Sequence, residues 1–503
     1  RASRAMRALA RRAPAPRLWY SCAAAAVAGR SSRSRASAER FEAVAPVAVA
    51  SERLPAPVKP PQFVRRVLAL VRKFWRMVYR LVRLGILTSP AVLTAPVAFM
   101  GPQAANELWW SYVVWAIEAA GPTIIKLAQW ITTRPDLMSS NIVERLKSLQ
   151  DDTKPHSFRH TERIMRKHFG RRWREQLRLD ERSSILGSGS IAQVYRGYHI
   201  QDQQEVAIKV LHPNVHEIIE EDTAILRTIV SFFEAVIPNL KYMSIGETVD
   251  EFGSLLQQQL DLRTEASNLA RLRKNFQKFE GCTFPEPKDG LISEEVIVES
   301  FIRGKPLLSM KGTEEATKLS GWGCRIVLEM LFYHNFVHGD LHPGNLLFTE
   351  DGKIGILDAG ICMQMDEEHH ANMMIIITAF MKSDGRSAAL NMVDYSRQNQ
   401  ARNVDEFVAG IVKIVDDSHQ QIFFDHAGEY VTQICALACK HHVKLDPVFI
   451  TSALAMKLIE GTAMELDPKV SLVEIGLPMA MSDLTWSYMK LPWAKKNAQA
   501  AAQ

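Results

Sequence analysis

Cysteine is scarce: six in 503 residues, which do not make a disulfide framework. The run CALACKHH sets Cys435 and Cys439 one helical turn apart, with His441 and His442 behind them. It lacks a second ligand pair at zinc-like spacing, so these read as ordinary helix cysteines. Acidic residues are absent from the first 38 positions, where nine arginines stand among serines and alanines. Arg-rich, Ser-rich and acid-free is the make-up of a mitochondrial transit peptide, assigned to residues 1–40, with a basic disordered tail as the plainer alternative. Basic excess, in turn, is absent from the chain beyond residue 80. Residues 1–80 hold 18 Lys/Arg against 3 Asp/Glu, a net +15 that leaves −9 for the remainder of a chain totalling +6. A nucleic-acid protein places its basic field on the folded domain, so this distribution argues against one. No internal repeat is evident.

What is present is 47% apolar and 23% charged sequence, that of a folded protein long enough for two or three compact units. Residues 41–62, ending in RLPAPVKPPQ, read as a linker. Residues 63–106 begin with FVRRVLALVRKFWRMVYRLVRLG, whose alternation of apolar and basic residues suits a helix on an anionic membrane surface. An uncharged run from Leu84 to Asn106 follows, long enough to cross a bilayer. Pro90, Pro96 and Pro102 interrupt it, and a re-entrant or buried segment is the alternative to a crossing. Residues 107–180 read as a helical extension and 181–305 as a small mixed lobe of short β-branched runs. Residues 306–480 read as a larger helical lobe with one hairpin-like interruption, NLLFTEDGKIGILDAG, before a tail over 481–503.

Four short motifs follow one another in this frame. ILGSGSIAQVYRG sets Gly187, Ser188, Gly189 and Ser190 before a strand containing Val194. Such a turn lets backbone N–H groups approach phosphates, although glycine turns are also common without a ligand. VAIKV sets Ala207 and Lys209 in an apolar strand, where an ammonium is costly unless phosphates and a carboxylate partner meet it. By spacing alone that partner is Glu217, Glu220 or Glu221. FVHGDLHPGNLLF contains His338-Gly339-Asp340 and then Asn345, an H-x-D-x-x-x-x-N pattern with glycine where protein kinases usually carry arginine. Asp358-Ala359-Gly360 lies eighteen residues beyond Asp340. Asp340 is the candidate for orienting or deprotonating an attacking hydroxyl, and Asn345 and Asp358 offer hard oxygen ligands to magnesium. Each motif alone is weak. Together, in this order and spacing, they predict an α+β, protein-kinase-like two-lobed fold that binds ATP and acts by positioning and charge neutralisation.

These motifs, with GPTIIKLAQWITTRPDL and QQQLDLRTEASNL, resemble the UbiB/aarF-domain atypical kinases associated with coenzyme Q, and among them the mitochondrial aarF-domain-containing kinases. The likeness covers residues 107–480. It implies N-terminal helices that cover the active site, with the K-x-G-Q signature present as Lys126-Leu127-Ala128-Gln129 and facing the nucleotide. It makes Glu265 of RTEA the partner of Lys209. The family's E-x-D reads Gln259-Leu260-Asp261 here, so one carboxylate is missing and a Lys126–Asp261 contact is the part that survives. The expected catalytic residues are then Asp340, Lys209 and Lys126. The expected ATP-binding set is Gly187, Ser188, Gly189, Ser190, Val194, Ala207, Lys209, Glu265 and Glu299, with Asn345 and Asp358 for Mg2+. Gly187-Ser188-Gly189 replaces the family's alanine-rich loop and Ala128 its signature glycine, departures that bear on nucleotide preference rather than on fold.

The function this implies is an atypical kinase or ATPase associated with the mitochondrial inner membrane, supporting ubiquinone biosynthesis or lipid metabolism. Its partners would be a lipid surface and coenzyme Q biosynthetic proteins, and its phosphorylation of proteins in trans would be weak. A small-molecule phosphotransferase and a nucleotide-binding scaffold without turnover are the alternatives.

Overall fold

A computed structural model describes residues 62–133, 153–179, 185–236, 245–394, 403–418, 427–441 and 459–481, with a few isolated positions between them. The segment expected to be a transit peptide, nearly all of the expected linker and the tail beyond 481 lie outside the described residues. The chain divides into two compact units, Arg1–Tyr79 and Arg80–Gln503. Of the first, the described part is the start of helix α1, Gln62–Met100.

Pro90 and Pro96 lie inside α1 and do not end it, contrary to the sequence expectation. A proline leaves the carbonyl four residues back without its donor. The carbonyl left by Pro90 is that of Ile86, and the Ser89 hydroxyl donates to it at 3.4 Å, which is how proline is accommodated in apolar helices. The break falls instead at Gly101-Pro102, so the uncharged run is divided between α1 and α2, Gln103–Ala120. Trp109 Nε1 donates to the Ala91 carbonyl at 2.8 Å and the Tyr112 hydroxyl to that of Leu87 at 3.0 Å, which lays α2 back along α1. The stretch Leu70–Met100 is long and apolar enough to cross a membrane, by length and composition, and almost none of it is buried. Arg80 grips Asp222 through Nε and Nη2 at 2.6 and 2.7 Å, and its Nη2 also donates to the Ala120 carbonyl at 2.6 Å. That guanidinium therefore joins α1, the end of α2 and helix α5, Val215–Val236. Helix α3, Pro122–Thr133, starts directly after Gly121, whose φ of 104° turns the chain.

After helix α4, Phe158–Phe169, the chain builds a six-stranded sheet. Its strands are β1 Leu177–Arg178, β2 Ile185–Ser188, β3 Ala192–His199, β4 Gln204–Leu211, β6 Pro287–Ile292 and β7 Val296–Ser300, in the order β1-β3-β4-β7-β6 with β2 also on β3. Side chains alternate along β4. Val206, Ile208 and Val210 join Val296, Val298 and Trp173 in a small core on one face. Ala207 and Lys209 occupy the other face, where cross-strand Ile297 belongs to the main core. Helices α6, Ile245–Gln259, and α7, Leu262–Asn275, follow α5, and α7 packs on β6 and β7.

The second lobe carries a four-stranded sheet of order β5-β11-β10-β8: Cys282–Thr283, Ile354–Ile356, Leu346–Thr349 and Gly304–Pro306. β10 and β11 form the antiparallel hairpin expected from NLLFTEDGKIGIL. β9, Val337–His338, pairs with β12, Cys362–Met363. The remainder is helical: α8 Ala316–Phe332, α9 Glu367–Met381, α10 Gly385–Asp394, α11 Val404–Ser418, α12 Ala427–Lys440 and α13 Leu472–Ala480. α9 is buried from His370 to Met381 and packs with α10 and α13 around the main core. The architecture is α+β and kinase-like, preceded by helices.

Candidate active site

The register of the first sheet aligns Gly187, Val194, Lys209 and Ile297 across four strands, with Ala207 opposite Glu299 beside them. Lys209 points from β4 towards α7. Its ammonium lies 2.7 and 2.8 Å from the two oxygens of Glu265 and 2.8 Å from Asp358 Oδ2. Burial alone would lower the Lys209 ammonium, but the charges of Asp358 and Glu265 outweigh it and hold it above its ordinary value. Burial would likewise raise Asp358, and the lysine overcomes that and holds it below the usual carboxylate range. With two carboxylates around one cation, burial and the neighbouring Asp358 push Glu265 up to about 7. Glu299 is also buried; desolvation, then Glu265, raise it well above an ordinary carboxyl, and its Oε2 has no partner among the described residues.

His338 ties the two acidic loops together. Fully buried at the end of β9, it shares a short hydrogen bond between Nε2 and the Asp358 carbonyl, and its Nδ1 accepts from the Asp340 N–H at 3.0 Å. A carbonyl only accepts, so the ring is a neutral Nε2–H tautomer, and burial lowers its pKa accordingly. Asn345 Nδ2 donates to the Asp340 carbonyl at 3.1 Å, and the Asn345 carbonyl accepts from Leu357 N at 3.0 Å. With its amide nitrogen thus engaged, Asn345 keeps its side-chain oxygen for a ligand. Asp358 Oδ1 accepts from Gly360 N at 2.7 Å. Asn345 and Asp358 are therefore a hard-oxygen pair on adjoining turns, a donor set that fits magnesium.

The extension motif is more dispersed. Helix α3 packs on α5 and α6, with Leu127 and Trp130 against the main core and the Trp130 ring 5.4 Å from that of Phe252. Lys126 and Gln129 are half-buried on that helix. Gln259, at the end of α6, reaches the site: its side chain lies within 4 Å of where a Cβ on Gly360 would be, and its Oε1 is buried without a partner among the described residues. Asp261, expected to hold Lys126, caps α7. It accepts from Arg263 N at 3.0 Å and pairs with the Arg263 guanidinium at 2.7 Å. At the glycine turn, Ser188 and Ser190 are buried and their hydroxyls lack partners among the described residues. One further group of metal-spaced donors, His168, Glu294 and Glu295, joins the end of α4 to the β6–β7 turn, where Lys167 already pairs with Glu295.

A strand lysine joined to a helix glutamate and a loop aspartate, with an H-x-D loop beneath, defines the class: this is a kinase-like protein. Residues 148–392 match the ABC1 atypical kinase-like domain. It is similar to a probable serine/threonine-protein kinase, abkC, of Dictyostelium discoideum, at 27% identity over 81% of this chain and 69% of that protein. A mitochondrial ABC1 family protein of Schizosaccharomyces pombe shares 27% over 85% of this chain and 74% of its own length. A probable protein kinase UbiB of Cronobacter sakazakii shares 27% over 73% and 69%. A Mycobacterium tuberculosis protein solved in complex with erythromycin aligns at a TM-score of 0.44 and 19% identity, over 76% of this chain and 98% of that one.

Proposed function

We propose that this chain binds Mg-ATP and transfers or hydrolyses its γ-phosphate at a mitochondrial membrane, in support of coenzyme Q or lipid metabolism. The observation that carries this reading is the Lys209 ammonium held between Glu265 and Asp358, which leaves it aimed where a phosphate chain would lie. Gly187, Ser188, Gly189 and Ser190 cover the phosphates, while Val194, Ala207 and Glu299 border the nucleotide. Magnesium held by Asn345 and Asp358 would supply charge neutralisation there. Asp340 orients the attacking hydroxyl or water and accepts its proton, while His338 fixes the backbone of both acidic loops. Lys126 and Gln129, with Gln259 against Gly360, close the site from the extension and disfavour peptide substrates.

The membrane part rests on α1, long and apolar enough to span and exposed along Val92, Leu93, Val97 and Phe99. The mitochondrial part rests on the acid-free, Arg-rich N-terminus and on the mitochondrial name of the fission-yeast relative. Coenzyme Q enters through the family likeness. The test is phosphate release from Mg-ATP by the purified chain, with and without anionic liposomes: hydrolysis that rises with lipid supports the reading, and none in either condition contradicts the ATPase form of it.

A further inference from the structure

Behind the glycine turn lies a line of polar side chains that none of the four motifs explains. We propose that Thr153, His156 and His212 are positioning residues that brace the turn for phosphate binding. The inference rests on reading Gly187–Ser190 as the phosphate loop. Thr153 N donates to the Ser188 carbonyl at 2.7 Å, and the Thr153 hydroxyl donates to that of Gly189. His212 Nε2 lies 2.9 Å from the same Gly189 carbonyl, and His212 N donates to Ile191 O at 2.8 Å. His156 Nδ1 is 2.8 Å from His212 Nδ1, its Nε2 is 2.9 Å from Thr161 Oγ1, and Thr161 Oγ1 is 2.8 Å from the Tyr195 hydroxyl.

The direction of every proton in this chain follows from its end. The Gly189 carbonyl can only accept, so His212 donates through Nε2. Neutral His212 then accepts at Nδ1, which obliges His156 to donate from Nδ1 and accept at Nε2. Thr161 donates to that nitrogen and accepts from Tyr195. Burial first, then the neighbouring histidines, lower His156 to about 3, and burial lowers His212, in keeping with two uncharged rings. A second proton on His212 would set two N–H groups against each other.

The consequence falls on the loop. Carbonyls facing a triphosphate repel it, whereas N–H groups attract it. The brace engages the Ser188 and Gly189 carbonyls from behind, so a nucleotide meets a turn already ordered, without the cost of freezing it on binding. Thr153, His156 and Thr161 precede the sheet, so the segment leading out of the helical extension acts directly on the loop.

Affinities of the full chain for Mg-ATP and for adenosine, measured by calorimetry, test this, because only the former has phosphates. His212→Leu should weaken Mg-ATP about tenfold, the worth of one or two such bonds, and leave adenosine unchanged. His212→Gln, which restores a donor, should recover most of the loss. Thr153→Val, of equal volume and with its backbone N–H intact, should weaken Mg-ATP about threefold and serves if the leucine variant fails to fold. Equal losses for both ligands, or no loss for Mg-ATP in any folded variant, would overturn the brace. A wild-type chain that binds neither ligand would instead remove the phosphate-loop reading beneath it.

Discussion

Gly339 and Ile361 hold each other at backbone distance: Gly339 N donates to the Ile361 carbonyl at 2.9 Å, and a Cβ on Gly339 would stand 2.7 Å from Ile361 Cγ2. The place where protein kinases usually carry arginine is therefore closed by the turn that follows Asp358. Gly339→Arg should lower stability by about 1–3 kcal/mol through overpacking, read as a drop in melting temperature, and should bring no gain in protein phosphorylation. An arginine variant as stable as wild type would show that this contact is slack.

Lys209 neutralises two carboxylates at once. Lys209→Met should lower stability by about 2–4 kcal/mol, less than for a fully buried pair, because the Asp358 side chain keeps 39% of its surface exposed. Glu265→Gln should cost less, since Lys209 retains Asp358. Chemical denaturation of the two variants checks the order; a Glu265 variant weaker than the Lys209 one would contradict the account of the triad.

The histidine brace gives stability a pH dependence of known sign. Unfolded, His156 titrates near 6.5; in the native chain it is lowered to about 3. Below pH 6.5 the unfolded state takes up a proton that the native state refuses, so stability falls as pH descends from about 6.5 towards about 3. His156→Asn, which does not titrate, should show a shallower decline of melting temperature over that window. An identical slope in both proteins would place the His156 titration elsewhere.

The basic residues of α1 should act on lipid electrostatically. Arg72, Lys73 and Arg76 all stand exposed on that helix. Replacing the three by glutamate should weaken cosedimentation with anionic vesicles, about 1 kcal/mol for each lysine or arginine lost near the surface. The loss should be smaller in high salt. Binding unaffected by the replacement would leave α1 without a role at anionic lipid.

The strands were legible because VAIKVL and EEVIVES are short β-branched runs, and the β10–β11 hairpin because Gly352 marks its turn with a φ of 78°. The partner of Lys209 was not legible from spacing, which favoured Glu217, Glu220 or Glu221. Those three sit on α5, whereas α7 is the helix that lies along β6 and β7 and brings Glu265 across. That pairing came only through the RTEA likeness. Asp261 could have been read locally, since an aspartate just before a helix is an ordinary N-cap. Pro90 and Pro96 misled because proline's usual effect assumes that the freed carbonyls stay unsatisfied, and Ser89 meets one of them. The His156–His212 contact joins residues 56 apart in sequence and has no periodicity to announce it.

Turnover of Mg-ATP by Asp340→Asn, set beside its affinity for Mg-ATP, reaches the core of this account most directly. If Asp340 is the general base proposed above, its removal should cut turnover by about 100-fold or more while affinity stays within about threefold of wild type, since the proposed role acts on the attacking group rather than on the phosphates. Turnover equal to wild type in the asparagine variant would contradict the account by placing the chemistry elsewhere in the molecule.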